Sequence, residues 1–248
     1  MQALGMRFLW IFGWLGCLVW HAQAQQAAPR RILVFTKTAG YHHASIPDGV
    51  KAIQQLAAQH QIEMDTTTDA GMFRMPELQR YAAIIFLNTT GNLFDSLQQQ
   101  AFQQYIRQGG GYLGIHAAAD CEYDWPWYGQ LVGAYFKSHP AVQKARLWIQ
   151  LDPRFPELEA LPHPWIRRDE WYNWRIPPAQ SQVHVLVTLD ESSYTGGENG
   201  DYHPVVWYHD FDGGRAFYME FGHTSESYSE PAFLQLLQAG LQYAMGEK

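Results

Sequence analysis

Cysteine is nearly absent from this chain, which has Cys17 and Cys121 and no others in 248 residues. Positive charge is also scarce, with 17 lysines and arginines against 24 aspartates and glutamates. That balance argues against nucleic acid and anionic membrane surfaces as partners. No apolar run is long enough for a membrane span, which takes about 20 residues. The longest, Phe8 to Trp20 (FLWIFGWLGCLVW), has 13. HExxH does not occur, and no two histidines stand four apart as on a zinc-binding helix. The triple glycine at Gly109 to Gly111 precedes a strand-like run instead of opening a helix, so a phosphate-cradling loop and a nucleotide cofactor are not expected. There is no internal repeat and no low-complexity linker.

The short apolar run follows a brief N-terminus with one positive charge, Arg7, and precedes AQA (Ala22, Gln23, Ala24). These are the parts of a secretory signal peptide, with cleavage expected after Ala24 and a periplasmic or extracellular destination. The mature chain would be a single α/β domain over residues 25–248, 224 residues long, with 16 basic and 24 acidic groups and a formal charge of −8. Cys121 would be its only thiol, so no intramolecular disulfide can form. Once the leader is removed, no membrane association is expected. A rival reading makes Cys17 a lipoprotein site, but Trp14 is a poor residue three positions before it.

What is abundant is aromatic: 15% of the chain, with seven tryptophans from Trp125 to Trp207. Large aromatics dominate core burial, and the C–H faces of sugars also stack on aromatic rings. The chain pattern then gives the fold class. RRILVFTKT (30–38) predicts a buried first strand, and 50–60 has helical spacing at Val50, Ile53, Leu56 and Ala57. IEMDTTTD (62–69) predicts a second strand, and AAIIFLNTT (82–90) a third, buried on both faces. Asp95 caps a helix over 96–108 with Leu97, Phe102, Tyr105 and Ile106 as its buried stripe. Strand, helix and strand repeating in this way predict a mostly parallel sheet covered on both faces. The second half reads as strands at 146–152, 184–190, 203–211 and 215–223, the last two forming a hairpin through DGG (212–214). A terminal helix presents Phe233, Leu236, Leu237, Leu241 and Ala244.

In such sheets the loops at the carboxyl ends of the strands make the binding crevice. TKTAGYHHAS, LNTTGN and GIHAAAD all leave those ends, so His42, His43 and His116 should meet there although about 73 residues separate them in sequence. GGGYLGIHAAAD resembles the strand-to-turn pedestal of a nucleophile, with His116 two residues after Gly114. An imidazole there can serve as acid, base or ligand near neutral pH. Asp120, four residues on, could fix its tautomer.

Together KTAGYHHASIPDG, GGGYLGIHAAAD, YGQLVGAYFKSHP, RRDEWYNW and HPVVWYHDFDGGRAFYMEFGHTSESY, with the terminal helix, resemble the ThuA-like (trehalose-utilisation) family over roughly residues 30 to 246. The resemblance implies a class I glutamine amidotransferase-like, flavodoxin-type three-layer fold, and a link to keto-sugar and disaccharide metabolism. In amidotransferases of that fold the pedestal carries a cysteine. Here it carries His116, and Cys121 lies five residues away, so glutamine transfer through a cysteinyl intermediate is excluded.

The expected function is processing of a sugar or keto-sugar by histidine and carboxylate proton chemistry. His116 is the base or acid, Asp120 its orienting partner, Glu170 the complementary acid with a raised pKa, and His223 a further proton-transfer group. Tyr41, His43, His139, Tyr172 and Trp207 are expected to bind substrate, with Tyr172 and Trp207 as stacking surfaces. His42 stands where family members often carry arginine. His60, His163, His184, His203 and His209 read as surface or structural. A small-molecule carbohydrate is the expected partner, the oligomeric state stays open, and no cofactor is predicted. A divalent metal at the histidine cluster remains an alternative, which would make the protein a metal-dependent hydrolase. A sugar-binding module without turnover is another.

Overall fold

The computed structural model describes Met1 and residues 30–248; the expected signal peptide lies outside the described residues. Strand β1 (Arg31–Phe35) shows why a parallel sheet forms here. Its side chains alternate between two cores: Ile32 and Val34 enter one apolar cluster, Leu33 and Phe35 the other. A strand buried on both faces must be apolar at every position. The same alternation recurs in β3 (Ala83–Leu87) and β4 (Gly111–Ile115). β2 (Glu63–Thr67), at the sheet edge, is more polar.

Four more strands complete the first core: β5 (Gln143–Ile149), β6 (Trp165–Asp169), β7 (His184–Asp190) and β8 (Pro204–Phe211). With β9 (Gly214–Met219) they give a nine-stranded sheet in the order β2-β1-β3-β4-β9-β8-β7-β5-β6. The sheet is not mostly parallel, as the sequence pattern suggested. The pairings from β2 to β9 are parallel and those from β9 to β6 antiparallel, so the two modes divide it evenly. The physical cause is connection length. Helices join the parallel strands, whereas a two-residue turn, Asp212 and Gly213, returns β8 directly into β9.

Helices cover both faces. α1 (Ile46–Gln59) and α4 (Pro231–Ala244) pack on the first core through Ile53, Leu56, Phe233 and Leu237. α2 (Ser96–Arg107) and α3 (Pro126–Val132) pack on the second through Phe102, Ile106 and Leu131. α1 begins before the predicted helix start, because Pro47 in its first turn has a preset helical φ and lacks an N–H that would go unpaired. Asp95 caps α2 in a capping box with Gln98. Leu97 is 73% exposed and not part of the buried stripe. At 3.6 residues per turn it stands about 140° round the helix from Phe102. Among the described residues no helix is long and apolar enough to cross a membrane.

Strand direction places the site. Successive antiparallel pairings from β9 make β7 and β6 run the same way as β1, β3 and β4. The residues that follow β1, β3, β4, β6 and β9 therefore share one edge. β6 was not predicted from sequence, and it is the strand that delivers Glu170 to that edge.

Candidate active site

His116 follows β4 directly and adopts the left-handed conformation, φ +49°, that few non-glycine residues take. Surrounding contacts hold this backbone in place. Tyr218 Oη donates to the His116 carbonyl at 2.8 Å, and a 3-10 turn over His116–Ala119 follows. The ring is fully buried. Its Nδ1–H donates to the Glu220 carbonyl at 2.7 Å, which leaves Nε2 facing the site. Nε2 lies 3.0 Å from Tyr172 Oη and 3.4 Å from Glu170 Oε2.

Glu170 is the centre of the arrangement. Besides His116, His223 Nδ1 stands 3.2 Å from Oε2 and His139 Nδ1 3.1 Å from Oε1. Burial pushes this carboxyl upward, but the neighbouring His116 and His223 more than offset it and hold the group below the usual carboxylate range. Glu170 is therefore a carboxylate at neutral pH, not the general acid with a raised pKa expected from sequence. His223 is shifted the other way, raised by the adjacent Glu170 despite its burial.

His43, in the loop after β1, completes the cluster. Its ring meets those of His116 and His223 edge-on at 4.9 and 5.2 Å. Burial, reinforced by these two histidines, lowers its pKa to about 3. The sign of the linkage follows. Between pH 6.5 and about 3 the unfolded chain takes a proton at this position that the folded chain refuses, so stability falls as pH drops through that window. Denaturant unfolding at pH 7 and pH 4.5 should show His43→Leu losing roughly 2 to 3 kcal/mol less than wild type over that interval. Equal losses in the two proteins would refute this assignment.

The expected roles of three other residues are corrected. Asp120 does not orient His116: it accepts from Tyr123 Oη at 2.5 Å, and the Glu220 carbonyl takes the ring N–H instead. The 3-10 turn after His116 is tighter than the helix that would have set Asp120 against the ring. Burial raises the Asp120 carboxyl from its ordinary value. Trp207 is not a sugar-stacking surface. It is fully buried in β8, donates Nε1–H to the Val132 carbonyl at 2.9 Å, and packs against Trp174 and Tyr218. Tyr172 is 2% exposed. It lines the site from within, its ring 4.5 Å from that of His116 and packed against Phe136.

Tyr41 and His139 form the rim. Tyr41 is 64% exposed, with its ring edge-on to His43 at 4.8 Å, which leaves an aromatic face open to a ligand. The ladder between Phe136–Ser138 and Asn173–Trp174 holds His139 opposite Glu170, with 43% of its side chain exposed. His42 lies outside the cluster, its Nδ1 3.1 Å from Thr38 Oγ1. His203 is structural, buried against Glu191 Oε1 at 2.8 Å.

Sequence reasoning missed the supports beneath the site. Asp169 is fully buried and accepts from the backbone N–H groups of Glu170, Gly222 and His223 at 2.9, 3.0 and 3.1 Å. It also pairs with Arg167 Nη1 at 3.0 Å, and Ser227 Oγ donates to it at 3.0 Å. Asn88, with φ +51°, donates to Ser45 Oγ and to the Gly222 carbonyl, tying together the loops after β1, β3 and β9. Glu220 is fully buried and accepts from the Tyr172 N–H at 2.9 Å; burial pushes its carboxyl well above the usual range. A signal for two of these was present: Asp169 precedes Glu170 in DEW, and Glu220 lies three residues before His223 in EFGH.

The model of the family described as ThuA, trehalose utilisation, matches residues 31–244. The chain belongs to the ThuA family. A ThuA-like protein from Bacteroides uniformis is 25% identical, with a TM-score of 0.73 over 88% of this chain and 92% of its own. A ThuA-like protein from Parabacteroides merdae shares the fold at 18% identity and a TM-score of 0.72, covering 89% and 91%. A β-galactosidase from Bacillus circulans has a region of the same fold: 12% identity and a TM-score of 0.54 over 88% of this chain but 31% of that enzyme. No curated protein matches the chain. The family's description connects it with the use of a sugar, trehalose, and the residue that directly follows β4 in this member is His116.

Proposed function

We propose that this ThuA-family protein processes a sugar or keto-sugar by proton transfer at the Glu170 cluster. The observation that carries the reading is the ionised Glu170 with histidine nitrogens at 3.1 to 3.4 Å on three sides. A carboxylate held below its usual range is ionised at neutral pH but is a weak base, so its part is to stabilise an imidazolium beside it. The proton acceptor is His116 Nε2, whose lone pair faces the site. A carbon acid beside a sugar carbonyl, or a water, is the kind of proton donor it would serve. Tyr172 and His223 would supply donors to the oxygen on which charge develops. His139, at the rim, would exchange the proton with solvent. The open face of Tyr41 would stack on the pyranose ring. The chemistry is isomerisation, epimerisation, elimination or hydrolysis, without glutamine amide transfer, because the pedestal lacks a thiol. Export would follow from the residue 1–24 pattern and put the protein where saccharides enter the cell.

The test is NMR-monitored incubation with trehalose, simple glucosides and their 3-keto forms, with thermal shift in parallel. Conversion of a keto form is the expected result. Stabilisation by a sugar with no change in its spectrum would replace the enzyme by a binding module, and the absence of both conversion and stabilisation would overturn the carbohydrate reading.

A further inference from the structure

Four side chains at the carboxyl edge of the sheet, His43, His116, Glu170 and His223, each present one donor atom, and these atoms all lie within 4.8 Å of one another. We propose that they form a binding site for a single divalent transition-metal ion, with three imidazole nitrogens and one carboxylate oxygen as ligands. Three independent features of the cluster point to a ligand. The first is an unpaired polar atom. His43 is 4% exposed, and its Nδ1 has no hydrogen-bond partner. A buried nitrogen left unpaired costs about 1 to 3 kcal/mol, and a coordinate bond removes that cost.

The second is the orientation of His116. Its Nδ1–H is committed to the Glu220 carbonyl at 2.7 Å, the backing that metal-bound histidines ordinarily have. That bond fixes the tautomer and aims the Nε2 lone pair into the cluster. The third is spacing. Ligands on a tetrahedral ion with bonds of about 2.1 Å stand about 3.4 Å apart. His116 Nε2 and His223 Nδ1 already lie 3.4 and 3.2 Å from Glu170 Oε2. Only the widest separations in the cluster must contract, through side-chain rotation.

Three nitrogens and one oxygen suit Zn²⁺, Mn²⁺, Fe²⁺ or Co²⁺ and not Mg²⁺ or Ca²⁺, which prefer oxygen alone. His139 stands outside the four ligands and remains free at the rim. With an ion bound, His116, Glu170 and His223 would be ligands in place of the proton-transfer groups of the proposed function. The ion would leave a coordination position for vicinal oxygens of a substrate, such as a ketone and its neighbouring hydroxyl.

The test uses the untagged, metal-stripped chain, titrated with Zn²⁺ and Mn²⁺ by calorimetry in the absence of sugar, so its outcome is separate from that of the carbohydrate reading. One ion per chain is expected, with a rise in Tm. His43→Ala and Glu170→Gln should each weaken binding by at least about 100-fold, while His184→Ala, at an exposed histidine far along β7, should not. Circular dichroism confirms folding of each variant, and His223→Asn, at a less buried ligand, serves if His43→Ala does not fold. A folded wild type that binds neither ion would overturn the site, as would binding that survives both His43→Ala and His223→Asn.

Discussion

His116→Asn is expected to lower kcat/KM for the converted sugar by roughly 10³-fold while leaving the fold in place. The magnitude follows from the loss of a positioned acid–base group, about 10² to 10⁴ in rate, or close to 4 kcal/mol of transition-state stabilisation for 10³. Asparagine is the appropriate replacement because it tolerates the left-handed backbone that this position demands at φ +49°. Its amide can still donate to the Glu220 carbonyl, so the bond that Nδ1 makes at 2.7 Å is imitated. What disappears is Nε2, the atom that faces Tyr172 and Glu170. The measurement is steady-state kinetics alongside thermal unfolding. A variant with wild-type turnover would remove His116 from the chemistry. A collapse of activity matched by global unfolding would leave it as a structural residue.

Asp169→Ala is expected to cost about 3 to 5 kcal/mol of stability, the range for removing one partner of a buried ion pair. Arg167 would keep Glu230, at 2.9 Å, but lose the buried carboxylate at 3.0 Å, and three backbone N–H groups would be left without an acceptor. Two of those N–H groups belong to Glu170 and His223, so the site should loosen as well. In a domain of this size Tm should fall by roughly 10 °C. The exposed pair Arg31 and Glu63, in the same sheet, sets the contrast: Glu63→Ala should cost less than about 1 kcal/mol, because solvent already screens it. Urea denaturation of the two variants makes the comparison. A loss below about 1 kcal/mol for Asp169→Ala would show that its network contributes little.

The parts of the fold legible in sequence are those where a single local rule decides. Unbroken apolar runs, Ile32 to Phe35 in β1 and all of β3, required burial on both faces, and the i, i+3, i+4 pattern of α4 required a helix with one buried side. The carboxyl-edge rule brought His43 and His116 together correctly, because parallel strands share a direction. It had less to say about Glu170. β6, Trp165–Asp169, alternates buried and exposed residues at the edge of the sheet, with arginines at 167 and 168 that weaken the strand signal. Only the pairing with β5 shows which way it runs.

Asp120 and Trp207 show where local inference fails. Asp120 is four residues from His116, but the carbonyl that orients His116 comes from Glu220, a hundred positions away in sequence. Trp207 carries no mark in sequence that separates a core tryptophan from a sugar-binding one; its place between β9 and β7 decided that. Sequence by itself determined the family, the covered sheet and the histidine on the pedestal. The protonation of Glu170, the isolation of His43 and the support from Asp169 were decided by tertiary structure, because each depends on desolvation and on neighbours contributed by different strands.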